Sequence, residues 1–175
     1  MKKFWLSIFV ISFGINAVTY CQWQQTSNGL YGGTITSLSI DKATNYIYAG
    51  TAVGVFFSTD NGDNWTAISN AYTKSLAISG NKIFAGSLGC VHMSTDNGDN
   101  WTILENGLPE DRAVNTIGIN GDNIFAGTNL GLYLSINNGI SWIPVNNGLE
   151  KSNGFHSITS IAFDGINIYA GTSGG

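Results

Sequence analysis

A five-residue segment recurs four times along the chain, and its spacing constrains the fold more than any other feature. The segment reads isoleucine, an aromatic residue, Ala-Gly, then Thr or Ser, and its copies are Ile47–Thr51, Ile83–Ser87, Ile124–Thr128 and Ile168–Thr172. The alanines at positions 49, 85, 126 and 170 are 36, 41 and 44 residues apart. Such a period is typical of repeat architectures in which one small unit stacks on the next.

Each repeat contains short runs with strand character, bounded by Gly, Asn or Asp, which favours hairpins. The recurring segment is the predicted second strand of its repeat. First strands are predicted at Thr36–Ile40, Ser75–Ile78, Thr116–Ile119 and Thr159–Phe163, third strands at Val55–Ser58, Val91–Ser94 and Leu132–Ser135, and fourth strands at Trp65–Ile68, Trp101–Leu104 and Trp142–Val145. The pattern predicts an all-β fold, a partial β-propeller of four-stranded antiparallel blades, with about three complete blades and a partial one.

Composition supports this fold and excludes some partners. The 175 residues include 23 Gly and 2 Pro, and only 10% are charged, which suits many short strands joined by tight turns. The net charge is −4, and the 7 Lys and Arg residues form no cluster after the N-terminus. A nucleic-acid partner and cationic attraction to a membrane surface are therefore not expected.

A second motif, Ser-x-Asp-x-Gly-x-x-Trp, joins the third and fourth strands. Its Asn-Gly step supplies the positive φ values of a tight turn, its Asp can accept backbone N–H groups, and its Trp can fold over the turn and bury a large apolar face. The motif positions are Ser58, Asp60, Gly62 and Trp65; Ser94, Asp96, Gly98 and Trp101; and Ser135, Asn137, Gly139 and Trp142.

This motif resembles the Asp-box, or bacterial neuraminidase repeat (BNR), found in propellers such as sialidases, sortilin, xyloglucanases and photosystem II assembly-factor-like proteins. Two copies match fully, whereas the third has Asn137 in place of Asp and Ser141 before its Trp. The resemblance covers residues 23–175 and implies the propeller fold. It implies little about function, since the family's boxes lie on the outer hairpin, away from the usual ligand face.

The N-terminus is predicted to be a signal peptide, residues 1–21, followed by the repeats at 22–175. Lys2 and Lys3 precede an apolar run at residues 4–15, which is short for a membrane span. Cleavage after Cys21 fits best, and cleavage after Ala17 is the alternative. Lipidation of Cys21 is disfavoured because Tyr20 is not small. We expect export to the periplasm, surface or surroundings of a bacterium, with no membrane insertion after cleavage.

The two ends of the chain suggest an incomplete ring. Trp23–Leu30 aligns with Trp101–Leu108, so the exported chain is predicted to start with a fourth strand. Because the sequence stops just after a second strand, it is interpreted as the N-terminal part of a longer ring, truncated at the C-terminus. A closed four-blade ring lacking one strand is the alternative.

We find no catalytic constellation, cofactor motif or metal site in the sequence. A sialidase needs several arginines, and Arg112 is the only one here. The acidic turns at residues 60–63 and 96–99 lack the additional carboxylates of a calcium loop. His92 is expected to pack in its strand, and Cys90 to be an inert, buried thiol.

The longest connections supply the candidate binding residues. Links from fourth to first strands and loops from second to third strands are expected at one end of the blades, where loops on a rigid scaffold commonly bind partners. The candidates are Glu110, Asp111, Arg112, Lys151, Phe155 and His156.

The favoured hypothesis is a non-enzymatic scaffold that binds a protein or carbohydrate through this loop face. One alternative is the front part of a glycoside-acting enzyme with catalytic residues beyond Gly175. Another is a periplasmic sensor propeller of a two-component regulator, because the Asn-Gly-Leu link between repeats resembles the links in such propellers. The simplest interpretation of these loops is that they are solvated spacers.

Overall fold

The computed structural model describes residues 8–10, 24–151 and 154–173, and these contain strands and no helix. No helix long and apolar enough to cross a membrane therefore occurs among them. The strands are β1 Ile8–Val10, β2 Gln24–Thr26, β3 Ile35–Ile40, β4 Ile47–Thr51, β5 Gly54–Ser58, β6 Thr66–Ser69, β7 Ser75–Ser79, β8 Lys82–Gly86, β9 Val91–Ser94, β10 Thr102–Leu104, β11 Val114–Asn120, β12 Asn123–Thr128, β13 Gly131–Ser135, β14 Ile143–Pro144, β15 Glu150–Lys151, β16 Gly154–Phe155, β17 Ser157–Asp164 and β18 Asn167–Ser173.

The strands form sheets in the order in which they follow one another along the chain. Blade one is β3-β4-β5-β6, blade two is β7-β8-β9-β10 and blade three is β11-β12-β13-β14, each antiparallel throughout. Blade four consists of β17 and β18, while β1 pairs with β2 and β15 with β16. The predicted first, second, third and fourth strands are all present, and their ends differ from the prediction by a few residues.

The core lies between neighbouring sheets, as stacking of repeats requires. Between blades one and two, Tyr48 and Val55 pack against Leu76 and Ile83. Between blades two and three, the cluster includes Phe84, Val91, Ile117 and Ala126, and between blades three and four it includes Phe125, Leu132, Ile158 and Ile161. Each sheet therefore buries its apolar face only by contact with the next one.

The glycine of each Ala-Gly pair lies where two blades approach most closely. A Cβ atom added at Gly50 or Gly86 would come 2.8 Å from a side-chain atom of Thr73 or Val114, on the chain that enters the next blade. At Gly127 the same atom would come 2.6 Å from Ile158. Close approach of successive blades thus explains why glycine recurs at this position.

The first turn motif is held together by hydrogen bonds within the turn. The Ser58 Oγ donates to Asp60 Oδ1 at 2.8 Å and accepts the Gly62 backbone N–H at 2.8 Å. Asn64 donates its backbone N–H and its side-chain amide to the two carboxylate oxygens of Asp60, at 2.8 and 2.7 Å. Asn61 and Gly62 have φ angles of 59° and 94°, the left-handed region in which Asn and Gly are tolerated best.

The second motif repeats these contacts, and the third uses a compensating pair of residues. Asn100 donates to Asp96 with its backbone and its side chain, at 2.9 and 2.7 Å. In the third motif, the Ser141 backbone N–H donates to Asn137 Oδ1 at 3.0 Å, and Asn137 Nδ2 donates to Ser141 Oγ at 2.9 Å. Replacing Asp by Asn and Asn by Ser reverses the direction of the side-chain hydrogen bond and preserves the turn.

The tryptophan of each motif packs between its own turn and the strand that precedes its blade. The indole N–H of Trp65 donates to Gly62 O at 2.8 Å, and that of Trp101 donates to Gly98 O at 3.0 Å and to Ile68 O of blade one at 2.8 Å. Trp142 is buried against Leu104 and other residues of blade two. The motifs therefore attach each blade to the preceding one as well as closing a hairpin.

The segment around β2 takes the place of a preceding fourth strand for blade one. The Trp65 backbone N–H donates to Asn28 O at 2.8 Å, just as the Trp142 N–H donates to Asn106 O at 2.9 Å. Leu30 packs against Trp65 in the core of this blade. This agrees with the alignment of Trp23–Leu30 to a fourth strand. Apart from Ile8–Val10, the predicted signal peptide lies outside the described residues.

Candidate binding face

The loop between β8 and β9 and the link between β10 and β11 come together at one end of blade two. Leu88 and Ala113 form an isolated antiparallel bridge. The Gly89 N–H donates to Arg112 O at 2.8 Å, and the Val114 N–H donates to Ser87 O at 2.9 Å. Backbone hydrogen bonds thus fix both segments relative to the sheets, which is how a rigid scaffold positions loop side chains.

These segments enclose an open cavity of about 530 Å³. Its acidic lining residues are Glu105, Glu110 and Asp111, all of which are exposed. Within the part of the chain that the structure describes, none of these carboxylates has an ion pair or a side-chain hydrogen bond. The remaining lining residues are Leu88, Gly89, Asn106, Gly107 and Leu108.

This arrangement can accept hydrogen bonds or a positive charge from a ligand and can offer it a small apolar surface. Carboxylates suit sugar hydroxyls and the cationic groups of peptides. The exposed side chain of Leu88 supplies the apolar contact.

The other predicted loop residues do not line the cavity, and for two of them only the backbone is described. Arg112 is exposed beside the cavity and contributes its carbonyl to the loop contact. The side chains of Lys151 and Phe155 lie outside the described residues, although their backbones form the β15–β16 hairpin. His156 is half-buried in the next link, and its buried Nδ1 has no hydrogen-bond partner among the described residues. The structure therefore brings together Glu110 and Asp111, and it adds Glu105, which the sequence analysis missed.

Cys90 and His92 lie near this face but do not form an activated nucleophile. The Cys90 Sγ is 3.5 Å from His92 Nε2. Burial, together with the negative charge of Glu105, raises the pKa of the thiol, and burial lowers the pKa of His92. A catalytic cysteine requires the opposite shift, so the pair is better explained as packing.

The Asp60 and Asp96 carboxylates of the acidic turns accept hydrogen bonds within the turns themselves. Hydrogen bonds from Asn64, from the backbone and from Ser58 lower the pKa of Asp60, and the corresponding bonds from Asn100 and Ser94 lower the pKa of Asp96. No group of three or more His, Cys, Asp and Glu side chains in the described ranges is arranged to hold a metal ion. The turns therefore have a structural explanation that needs no ion.

No protein-family model matches the chain, and no curated protein matches it either. Solved structures do. The extracellular domain of a protein described as a one-component system of B. thetaiotaomicron is 22% identical, with a TM-score of 0.70 over 87% of this chain and 22% of that one. A GH74 enzyme from Niastella koreensis is 22% identical, with a TM-score of 0.62 over 85% of this chain and 27% of that one. YCF48 from Cyanidioschyzon merolae is 20% identical, with a TM-score of 0.58 over 79% and 50% of the two chains.

The chain thus spans between about a fifth and a half of the length of these proteins. At such identities the likeness concerns the fold alone. Together with the sheets described above, it shows that this chain is an all-β protein with the blades of a partial β-propeller.

Proposed function

We propose that the chain is an exported, non-enzymatic propeller scaffold that binds a protein or a carbohydrate through the loop face of blade two. The observation that supports this most is the cavity between Leu88 and Asp111, with three exposed carboxylates whose hydrogen-bonding capacity the described residues leave unused. Export rests on the basic and apolar N-terminus, because that sequence is typical of a signal peptide.

The likeness to a GH74 enzyme and to the extracellular domain of a one-component system is compatible with the enzyme and sensor alternatives. It does not choose between them, since related propellers carry different functions at their loops. The cavity favours binding because its carboxylates are exposed and able to accept hydrogen bonds from a ligand.

The experiment is binding of the purified chain to arrays of oligosaccharides and of basic peptides, followed by titration calorimetry with the best binder. We expect the double variant Glu110→Gln/Asp111→Asn to weaken that binding about 10- to 100-fold, since the amide oxygens still accept hydrogen bonds and the loss of charge costs about 0.7 to 1.4 kcal/mol at each of the two positions.

The matched control is Asp63→Asn/Asp99→Asn, which removes the same charge from exposed positions in the turn motifs. This control should bind like the unaltered chain. Equal weakening by both double variants would show only a net-charge effect and would reject the site. Hydrolysis of an array oligosaccharide by the chain would contradict the non-enzymatic assignment.

A further inference from the structure

The Asn-Gly steps that build the turns of this chain are also places where the backbone can react with itself. The glycine backbone nitrogen can attack the side-chain carbonyl carbon of the asparagine, because glycine has no side chain that hinders the approach. A C–N bond forms, the glycine nitrogen loses its proton, and the asparagine amide nitrogen takes up a proton and leaves as ammonia. Water then opens the cyclic imide to aspartate or isoaspartate. The reaction therefore needs a glycine N–H and an asparagine side chain that are both free to move.

The turn motifs hold the glycine nitrogen of their own Asn-Gly step. In all three copies the glycine N–H donates to the serine Oγ of the motif at 2.8 Å: Gly62 to Ser58, Gly98 to Ser94 and Gly139 to Ser135. Each of these serines is 1% exposed. Attack on the asparagine requires the nitrogen to give up this buried hydrogen bond, which costs free energy. The serine hydroxyl therefore opposes the reaction in addition to closing the turn.

Two further Asn-Gly steps, at residues 28–29 and 120–121, are held through the asparagine instead. The side-chain amide of Asn28 donates to Asn64 Oδ1. The side-chain amide of Asn120 donates to Gly165 O at 2.9 Å. These hydrogen bonds restrict the side chain that has to rotate toward the glycine nitrogen, so they also oppose the reaction.

The step at Asn106 and Gly107 has neither kind of contact. Among the described residues, no hydrogen bond involves the Asn106 side chain or the Gly107 N–H. Both residues are exposed, and they line the cavity beside Glu105 and Glu110. The attacking nitrogen and the side chain that it attacks are therefore both available at this step, and both are accessible to water.

We propose that Asn106 is a site of spontaneous deamidation, and that the serine of each turn motif protects the Asn-Gly step in its own turn. Conversion of Asn106 adds a negative charge to a cavity that already has three exposed carboxylates. In the isoaspartate product the backbone runs through the former side chain, so the carbonyl that accepts the Trp142 N–H at 2.9 Å becomes part of a side-chain carboxylate. The modification therefore changes the charge of the cavity and a contact between blades two and three. The reaction needs only water and is independent of any ligand of the cavity.

The test is incubation of the purified, folded chain in mildly alkaline buffer, followed by proteolysis and mass spectrometry of the peptides that contain the Asn-Gly steps. Those of the turn motifs contain Asn61, Asn97 and Asn138. We expect Asn106 to react at least about tenfold faster than these three, because a tenfold ratio corresponds to about 1.4 kcal/mol and a hydrogen bond contributes about this much. The same chain unfolded in urea is the reference, and there all four asparagines should react at similar rates.

Ser94→Ala tests the protective role of the serine within one chain. Without this hydroxyl, deamidation of Asn97 should accelerate about tenfold, because the Gly98 N–H loses its partner. Asn61 and Asn138 keep their serines, so they are matched internal controls and should keep their rates.

Ser135→Ala repeats this experiment at the third motif, where Asn138 should accelerate and Asn97 should not. In the unaltered chain, a rate at Asn106 as low as that at Asn97 would overturn the proposed site. An unchanged rate at the altered motif, or equal acceleration of all three motifs in both variants, would overturn the role of the serine, since the fold as a whole would then be what protects these steps.

Discussion

Replacing Trp142 by alanine should strongly destabilise the chain, because the truncation removes a large buried side chain of the third turn motif. The side chain is 3% exposed and packs in the same cluster as Leu104, Leu108 and Val91. An indole buries about 200 Å² of apolar surface, which at about 25 cal/mol per Å² corresponds to roughly 5 kcal/mol. Since the buried indole N–H has no hydrogen-bond partner among the described residues, no hydrogen bond is lost with it. We expect a loss of about 3 to 5 kcal/mol in the free energy of unfolding.

The assay is equilibrium unfolding in urea, followed by circular dichroism, together with a thermal melt. For a domain of this size the expected loss lowers Tm by about 10 °C. Ile143→Ala is the matched control, because the neighbouring side chain is 54% exposed and its removal should change stability by about 0.5 kcal/mol or less. A Trp142→Ala protein that unfolds within about 0.5 kcal/mol of the unaltered chain would refute the packing role assigned to this tryptophan.

Three further predictions follow from the same geometry. Gly107→Ala should lower the free energy of unfolding by about 2 to 3 kcal/mol, because its Cβ would lie 2.1 Å from Trp142 O. Gly121→Ala, also at positive φ but in open space, should lower it by only about 1 kcal/mol. Urea unfolding of both variants measures the difference. Hydrogen bonds hold the pKa of Asp60 and Asp96 below the usual 3.8, so the stability that these carboxylates contribute is present above about pH 4 and is lost as the pH falls through their folded pKa. The Tm of Asp60→Asn/Asp96→Asn should therefore decrease less between neutral and acid pH than the Tm of the unaltered chain. An equal decrease in both proteins would contradict this. Cys90 is buried with a raised pKa, so a thiol reagent should label it slowly in the native chain and rapidly in urea, and equal rates would show that the thiol is not protected.

The strands and turns could be predicted because their signals are local and repeated. The Asn-Gly steps at positions 61–62 and 97–98 require positive φ, and the structure has it at both. The recurring Ala-Gly segment forms an inner strand of each four-stranded sheet and the second strand of blade four. Because the same pattern occurs in four copies, each copy supports the strand assignment of the others.

What the sequence did not reveal depends on contacts between distant segments or on very short elements. The sequence predicts a loop around Lys151 and Phe155, whereas the structure has the hairpin of β15 and β16 there, because two-residue strands carry no periodic pattern. The indole hydrogen bond from Trp101 to Ile68 O joins two blades, and Glu105 reaches the cavity from a strand end. Neither contact can be predicted from the spacing of residues within one repeat. The loop-face residues were predicted from loop length alone, so their role in binding stays a prediction.

The tryptophan of each turn motif holds its blade against the one before it. Exchange of the indole N–H protons with solvent, followed by NMR on the purified chain, measures this directly. We expect the protons of Trp65, Trp101 and Trp142 to exchange far more slowly than those of the unfolded chain, since the first two donate to backbone carbonyls and the third is buried. Exchange of all three at the unfolded rate would contradict the account.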